Sequence, residues 1–486
     1  MKYCSRPFKY LHLDPDGEVR SCSWTSNSIG NILKDGVEAV WNGEEAEKVR
    51  QSILDGSFSF CQKDFCPFLA NNSLPDITKE NFEELKQSIK IPEFPPYSVW
   101  RDVKNSENYE DLFQKEPQPI ELDFAYDKIC NHACPTCRDK ILCLSDEEKD
   151  RIQKTSELMK PYLKDVEFLD ICGAGDVFSS PYMMDILKNL DSEKENLIID
   201  LETNGALFDE QHWNQISHIE KYNVCANLTT NSWERDTYTY LNGGVNDYDK
   251  LMSNLKFIKS LREEGKIKCL TLSMVIQDRN FRELPEFIRR SFEEFGADFV
   301  NLKPVYHWFC LSEEDFWFKD VSNPQHPYHA DYKKILEDPI FKDERVYWWD
   351  GYNVHDSKQH PAHKSDYIAQ MLLKFFYVTD YKEKLVSLIK SKNYGKFAVY
   401  GAGDVGQVLC TVLSQTEAKP QFVVDKYRKG NSFCGIDLVN FFKFDASQVD
   451  TVIVTPVYYM MTIKQDLRKL GFRGNVVNIM DLIKEL

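Results

Sequence analysis

Between residues 119 and 304 short apolar runs alternate six times with longer amphipathic stretches, and three cysteines stand directly after the first run. The expected strands are Ile120–Phe124, Val166–Ile171, Leu197–Glu202, Val224–Leu228, Lys268–Val275 and Phe299–Pro304. Helical periodicity lies between them, as in Glu147–Leu163, Tyr248–Arg262 and Leu284–Phe295. Strand–helix alternation of this length predicts a parallel sheet, open or curled into a barrel, with sites at the C-terminal ends of the strands. The cysteines Cys130, Cys134 and Cys137, spaced C-x3-C-x2-C, occupy such an end. Three thiolates can grip one corner of an iron–sulfur cube and leave its fourth iron open for chemistry. A structural zinc site is the plainer alternative, but zinc closes a shell of four ligands and no partner pair follows nearby.

The rest of the chain frames that core. At 486 residues it exceeds one ordinary domain. A net charge of −17 with no arginine-rich block argues against nucleic acid or an anionic membrane surface as partner. No secretory signal and no bilayer-length apolar run are present, so the expected location is the cytoplasm. There the 14 cysteines are read as metal ligands or buried thiols instead of disulfides. Residues 1–70 carry Cys4, Cys22, Cys61 and Cys66, a turn at Asp14-Pro15-Asp16-Gly17 and a helical patch from Val37 to Leu54. Residues 71–118 read as a connector around Pro92-Glu93-Phe94-Pro95-Pro96.

The cysteine motif and its position resemble the radical S-adenosylmethionine (SAM) enzymes over residues 119–304. The resemblance implies a partial (β/α)6 barrel in which Cys130, Cys134 and Cys137 bind a [4Fe–4S] cluster and SAM chelates the open iron. One electron then cleaves the sulfonium, and the 5′-deoxyadenosyl radical abstracts hydrogen from a substrate C–H bond. Gly173-Ala174-Gly175-Asp176 is similar to the family's glycine-rich turn that meets the amino group of SAM, with Asp for the usual Glu. Thr203-Asn204-Gly205 is another family-like turn. Thr229 takes a ribose-facing position, and Asn227, two residues earlier, shares its strand face. Asn242 stands where the family has an arginine. Cys4, Gly17, Cys22, Cys61 and Cys66, with Gly30-Asn31-Ile32 and Trp41-Asn42 between, resemble the twitch or SPASM module, which normally follows the core and here precedes it. It implies a second, auxiliary [4Fe–4S] cluster on Cys4, Cys22, Cys61 and Cys66; a four-cysteine zinc site is the alternative. Cys143, Cys172, Cys225, Cys269, Cys310, Cys410 and Cys434 are left over, most of them expected in the core.

Residues 305–393 hold an aromatic and histidine-rich segment, with Tyr306-His307-Trp308-Phe309, Trp348-Trp349, His360 and His363. Aromatic faces can stack on sugar rings, and a packed linker core gives the same letters. Residues 394–486 read as a small Rossmann-like α/β domain: strand, Gly401-x-Gly403-x-x-Gly406, helix, strand, Asp425. About 90 residues make only half of a dinucleotide fold, so NAD is not expected as cofactor. A loose resemblance to domains that accompany sugar-modifying enzymes points to a sugar or nucleotide-sugar as the small-molecule substrate, with dehydrogenation or epimerisation as the outcome, in glycan or secondary-metabolite biosynthesis. Flavodoxin or ferredoxin is the expected electron donor. The rivals are a radical SAM peptide maturase, an NAD-dependent oxidoreductase and a zinc-stabilised interaction protein without catalysis.

Overall fold

The computed structural model describes residues 2–25, 27–63, 66–70, 72–89, 98–138, 140–171, 174–305, 313–348, 380–456, 460–479 and 482. The chain divides into two units, Met1–Pro361 and Ala362–Leu486. Cys172, Gly173, Tyr306–Phe309, Cys310, Trp349, His360 and His363 lie outside the described residues.

The first unit is built on one ten-stranded sheet. Its centre is six parallel strands in sequence order: β4 (Glu121–Phe124), β5 (Phe168–Ile171), β6 (Ile198–Thr203), β7 (Asn223–Thr229), β8 (Cys269–Ile276) and β9 (Phe299–Pro304). These are the six expected strands, shifted at their ends by at most two residues. Consecutive parallel neighbours require a helical return each time, and the amphipathic stretches provide it. Asp146–Met159 opens on a capping box, Ser145 accepting from the Glu148 amide at 3.2 Å and Glu148 accepting from the Ser145 amide at 2.8 Å. Pro181–Lys188 begins with proline behind a Ser180 cap.

The sheet extends past both expected edges. β10 (Val346–Trp348), from the aromatic segment, pairs parallel with β9. At the other edge β1 (Tyr10–Leu13) pairs parallel with β4, and β2 (Glu18–Arg20) and β3 (Gly30–Asn31) follow antiparallel. The cysteine-rich N-terminal region is therefore continuous with the sheet of the central core. Residues 71–118 pack as well as connect: Phe82, Val99, Val103 and Leu112 share a core with Tyr3, Phe8, Ile53 and Phe58. Trp348 is buried in the main core, which removes it from sugar stacking.

Period-two alternation divides the faces of the sheet. Leu122, Leu169, Ile199, Leu201, Val224, Leu228, Leu270, Leu272, Val300 and Leu302 pack beneath the helices. The opposite, inner face is largely polar. Cys225 and Cys269 lie on it in a small apolar floor with Phe168, Ile198 and Phe299, as core thiols. Cys410 is likewise buried, whereas Cys143 is exposed and Cys434 half-buried.

The second unit is a six-stranded sheet of β11 (Phe397–Tyr400), β12 (Val423–Asp425), β13 (Ser432–Phe433), β14 (Ile436–Asn440), β15 (Thr451–Val454) and β16 (Asn475–Asn478), ordered β13-β14-β12-β11-β15-β16. All pairs but β13–β14 are parallel, and the order reverses at β11. Among the described residues no helix is long and apolar enough to cross a membrane.

Candidate active site

The loop after β4 carries Cys130, Cys134 and Cys137 and is locked from several sides. Asp127 accepts from the Ile129 amide at 2.9 Å and from the Ser180 hydroxyl. The Cys137 and Arg138 amides both return to the Cys134 carbonyl, at 2.8 and 2.9 Å. Donors reach the sulfurs: the His132 amide lies 3.4 Å from Cys130 Sγ, Asn204 Nδ2 3.8 Å from the same atom, and Arg138 Nη2 3.6 Å from Cys137 Sγ. Burial pushes the Cys130 thiol up to about 11. Burial, and then the charges of Cys137 and Cys130, push Cys134 up to about 12. Such thiols stay protonated unless a metal takes the place of the proton. Donors aimed at sulfur suit a metal-bound thiolate, so the residues present fit an iron–sulfur cluster held at one corner.

Two turns hold this loop, and both explain letters in the sequence. At Gly175 an added Cβ would lie 2.4 Å from the Ile129 carbonyl, and the Asp176 amide donates to that same carbonyl at 2.9 Å. Gly243, at φ +85°, would place a Cβ 2.3 Å from the Ala133 carbonyl, and the Asn242 carbonyl accepts from the Ala133 amide. Asn242 thus supports the cysteine loop through its backbone. Its side chain donates to Asp247 at 3.2 Å, as do Tyr238 at 2.9 Å and the paired His132 Nε2 at 2.8 Å.

Asp176 corrects an expectation. Its carboxylate is only 1% exposed; one oxygen accepts from the Phe178 amide and from Ser179, the other from the Thr203 hydroxyl and the Asn204 amide, both at 2.8 Å. It ties two strand-end turns together and has no oxygen spare for an ammonium. The backbone at Ala174 and Gly175 remains beside the cysteine loop. Asn204 bridges to Asn131 at 2.8 Å. Asn227, half-buried, accepts from Ser273 at 2.9 Å, and Thr229 pairs across to Ser273, so both lie on the inner face.

Sequence reasoning missed Arg138. It is nearly buried and donates to the Lys128 and Ala174 carbonyls at 2.6 and 2.8 Å, joining the cysteine loop to the glycine-rich turn. It also missed the acids Asp123, Asp170, Asp200 and Glu202. The register sets Asp123 beside Asp170 and Asp170 beside Asp200 on the inner face, with Glu202 beside Asn227. The signal was present in the strands Phe-Leu-Asp-Ile and Ile-Ile-Asp-Leu-Glu-Thr, where acids fall at alternate positions.

In the N-terminal module Cys4, Cys22, Cys61 and Cys66 are drawn from four separate places. Cys61 bridges antiparallel to Thr25, and the Thr25 amide and hydroxyl both bond the Cys22 carbonyl. The Cys66 amide closes on Gln62 at 2.8 Å. Burial and the charges of the other three raise Cys4, and burial raises Cys61 to about 12. Arg6 Nε and Ser21 Oγ, neighbours of these cysteines in sequence, are buried with no hydrogen-bond partner among the described residues. Orphaned donors beside four thiols fit a cluster whose sulfur atoms accept hydrogen bonds. Gly17 is a hairpin glycine at φ +77°, whose Cβ would meet Leu33 at 2.6 Å. Asn31 caps the helix Ile32–Asp35, and buried Trp41 donates to the Glu116 carbonyl at 3.0 Å. Among the described residues no three His, Cys, Asp or Glu side chains are gathered about one point tightly enough for a single ion.

Residues 4–67 match the family described as SPASM, an iron–sulfur cluster-binding domain. The match covers 64 of the 486 residues, in the segment that carries Cys4, Cys22, Cys61 and Cys66. No curated protein matches the chain. Among solved structures it is similar to SuiB of Streptococcus suis, at 12% identity and a TM-score of 0.32 over 65% of this chain and 62% of that one. For SuiB bound to S-adenosylmethionine the figures are 14%, 0.31, 72% and 72%. The chain thus spans less than two thirds of the first of these structures, and likeness of this degree assigns neither substrate nor reaction.

The glycine turn of the second unit is tight. A Cβ at Gly401 would lie 2.5 Å from Pro456, and one at Gly406 2.0 Å from the Gly401 carbonyl, while Gly403 faces open space. Asp425, expected on a ribose, is instead spent on its own backbone: it accepts from the Ala402 amide at 2.7 Å and from the Tyr427 and Arg428 amides at 2.8 Å. The acid that would select a dinucleotide is therefore part of the turn.

Proposed function

We propose that the protein is a cytoplasmic radical SAM enzyme that abstracts hydrogen from a C–H bond of a sugar or nucleotide-sugar, leading to dehydrogenation or epimerisation. In this reading Cys130, Cys134 and Cys137 hold the cluster that binds SAM, and Cys4, Cys22, Cys61 and Cys66 hold an auxiliary cluster. When bound, the first cluster supplies the electron that cleaves SAM to methionine and a 5′-deoxyadenosyl radical. The chain's own residues do the rest. Arg138, Asn204 and the His132–Asp247 pair fix the thiols. The Ala174-Gly175 backbone, Asn227 and Thr229 offer polar contacts for SAM. The packed floor below Cys225 and Cys269 limits water behind the reacting atoms.

The observation that carries the hydroxyl-rich substrate is the polar inner face, where Asp170, Asp200, Glu202, Asn227, Ser273 and Asn301 stand on neighbouring parallel strands. The second unit, with its open Gly403, is an accessory nucleotide site in this reading. A small flavodoxin or ferredoxin supplies electrons. The test is turnover of a panel of nucleotide sugars in deuterated buffer, with reductant and SAM. Product carrying one deuterium indicates epimerisation, and a loss of two mass units indicates oxidation. Turnover of a peptide and of no sugar would reject the substrate class.

A further inference from the structure

Reduction adds a negative charge to an iron–sulfur cluster, and a protein sets the potential of that step through burial, nearby charge and hydrogen bonds to sulfur. A buried cation with unused donors beside the module's thiols acts through all three. Among the described residues Lys63, Arg20 and Arg6 exchange charge with those thiols, and they are used differently. Lys63, whose charge reaches Cys61, is exposed to solvent. Arg20, reached by Cys22, is already spent: Nε and Nη2 donate to Asp14 at 2.5 and 2.7 Å, and Nη1 donates to the Ser23 carbonyl at 2.8 Å. Arg6 is left.

Arg6 stands two residues after Cys4, and its guanidinium carbon lies 4.3 Å from the centre of the Tyr10 ring. Tyr10 is itself fixed, its hydroxyl donating to Asp123 at 2.5 Å. A cation held over a ring is attracted through its charge and keeps its N–H groups for other partners. Arg6 finds none in the protein: Nε is buried without an acceptor, and among the described residues the side chain makes no hydrogen bond and no ion pair. Cys22, Glu121 and Cys4 are among the groups whose charge reaches Arg6, and the Arg6 charge reaches Cys66. Glu121 is taken up by other cations, Arg101 at 3.7 Å and Lys9 at 3.9 Å. Three of the four module thiols thus lie in the field of one guanidinium that no carboxylate claims. A buried guanidinium is costly unless its donors are met, and thiolate and cluster sulfur are acceptors of matching charge.

We propose that Arg6 donates from its guanidinium to sulfur of the auxiliary cluster and holds the reduction potential of that cluster up. This rests on Cys4, Cys22, Cys61 and Cys66 holding the cluster proposed above. The test is a potentiometric titration read by electron paramagnetic resonance. It uses the reconstituted full-length Cys134→Ala protein as parent, so that the module's cluster alone is followed. Dithionite supplies the one electron that the cluster takes up, and iron analysis reads loading separately from potential. Adding Arg6→Gln is expected to shift the equilibrium toward the oxidised cluster at least about tenfold, a fall of about 59 mV for one electron. Adding Arg6→Lys, which keeps the charge, is expected to give a potential between the two. A loaded Gln variant with the parent's potential overturns the inference. The parent labelled with nitrogen-15 arginine decides the matter without altering Arg6. Its reduced cluster is expected to show hyperfine coupling to arginine nitrogen, and no such coupling overturns the inference even if both variants fail to load. A parent without any cluster overturns the auxiliary-cluster reading and this inference with it, whereas a cluster that is present and indifferent to Arg6 overturns this inference alone.

Discussion

The two cysteine sites are built in opposite ways. Cys130, Cys134 and Cys137 share one short loop, fixed by contacts that converge from the turns after β5, β6 and the helix Arg235–Leu241. Cys4, Cys22, Cys61 and Cys66 are spread over more than sixty residues and meet because β1, β2 and the segment around Thr25 fold together. The loop site has three thiols and donors at their sulfurs. The dispersed site has four thiols, with Arg6 Nε and Ser21 Oγ lacking a hydrogen-bond partner among the described residues. Three thiols leave an iron for chemistry, whereas four close the shell, so in the proposed function the loop carries the reaction and the module electron handling or structure.

The sharpest way to break this comparison is to remove one thiol from each site. Cys134→Ala is expected to abolish 5′-deoxyadenosine formation and to lower iron by about half, leaving the module's cluster in place. Loss of all iron would mean that the sites are not separate. Cys66→Ala is expected to lower iron by a similar share while SAM cleavage persists and substrate turnover falls. Iron and acid-labile sulfide analysis beside product chromatography reads both variants.

A smaller effect is expected at Arg138. Replacing it with Gln strips the Lys128 and Ala174 carbonyls of a charged donor, at about 2–3 kcal/mol. The melting temperature should drop and the loop cluster should load poorly, with the module's cluster spared. Equal loss at both sites would make Arg138 a general stability residue.

The smallest expected effect lies at the seam between the sites. Burial opposes charge on His12, but the Asp123 charge and hydrogen bond and then Asp14 outweigh it and raise it from 6.5 to about 9. Its contribution is therefore complete below about pH 6.5 and is lost as the pH rises through about 9. Amide exchange across β1 and β4 is expected to quicken roughly tenfold between pH 7 and pH 10 beyond the intrinsic rate. Exchange across β11 and β15, the comparison pair, should show no such step. His12→Gln should flatten the response.

Much of this contrast is legible in the chain. Local patterns gave the six parallel strands and the loop motif, because period-two runs and cysteine spacing are properties of neighbours in sequence. What they could not give is pairing at a distance. β1 joins β4 across more than a hundred residues, and no local signal marks that Tyr10 lies opposite Glu121. Asp176 and Asp425 look like ligand carboxylates in sequence, and in both cases nearby amides take their oxygens first. Short acids after a strand serve the turn as readily as a ligand, and only the count of donors around them separates the two roles. Arg138 carried no motif; its place next to Cys137 was visible, but its carbonyl partners come from segments that the fold brings together.

The central claim is that one loop holds an open-iron cluster that works on SAM. It is tested most directly by anaerobic reconstitution with iron and sulfide, followed by reduction in the presence of SAM. About eight iron atoms per chain, matching sulfide, and 5′-deoxyadenosine that disappears in Cys134→Ala are the expected results. Bound zinc without acid-labile sulfide, and no 5′-deoxyadenosine with any reductant, would contradict it.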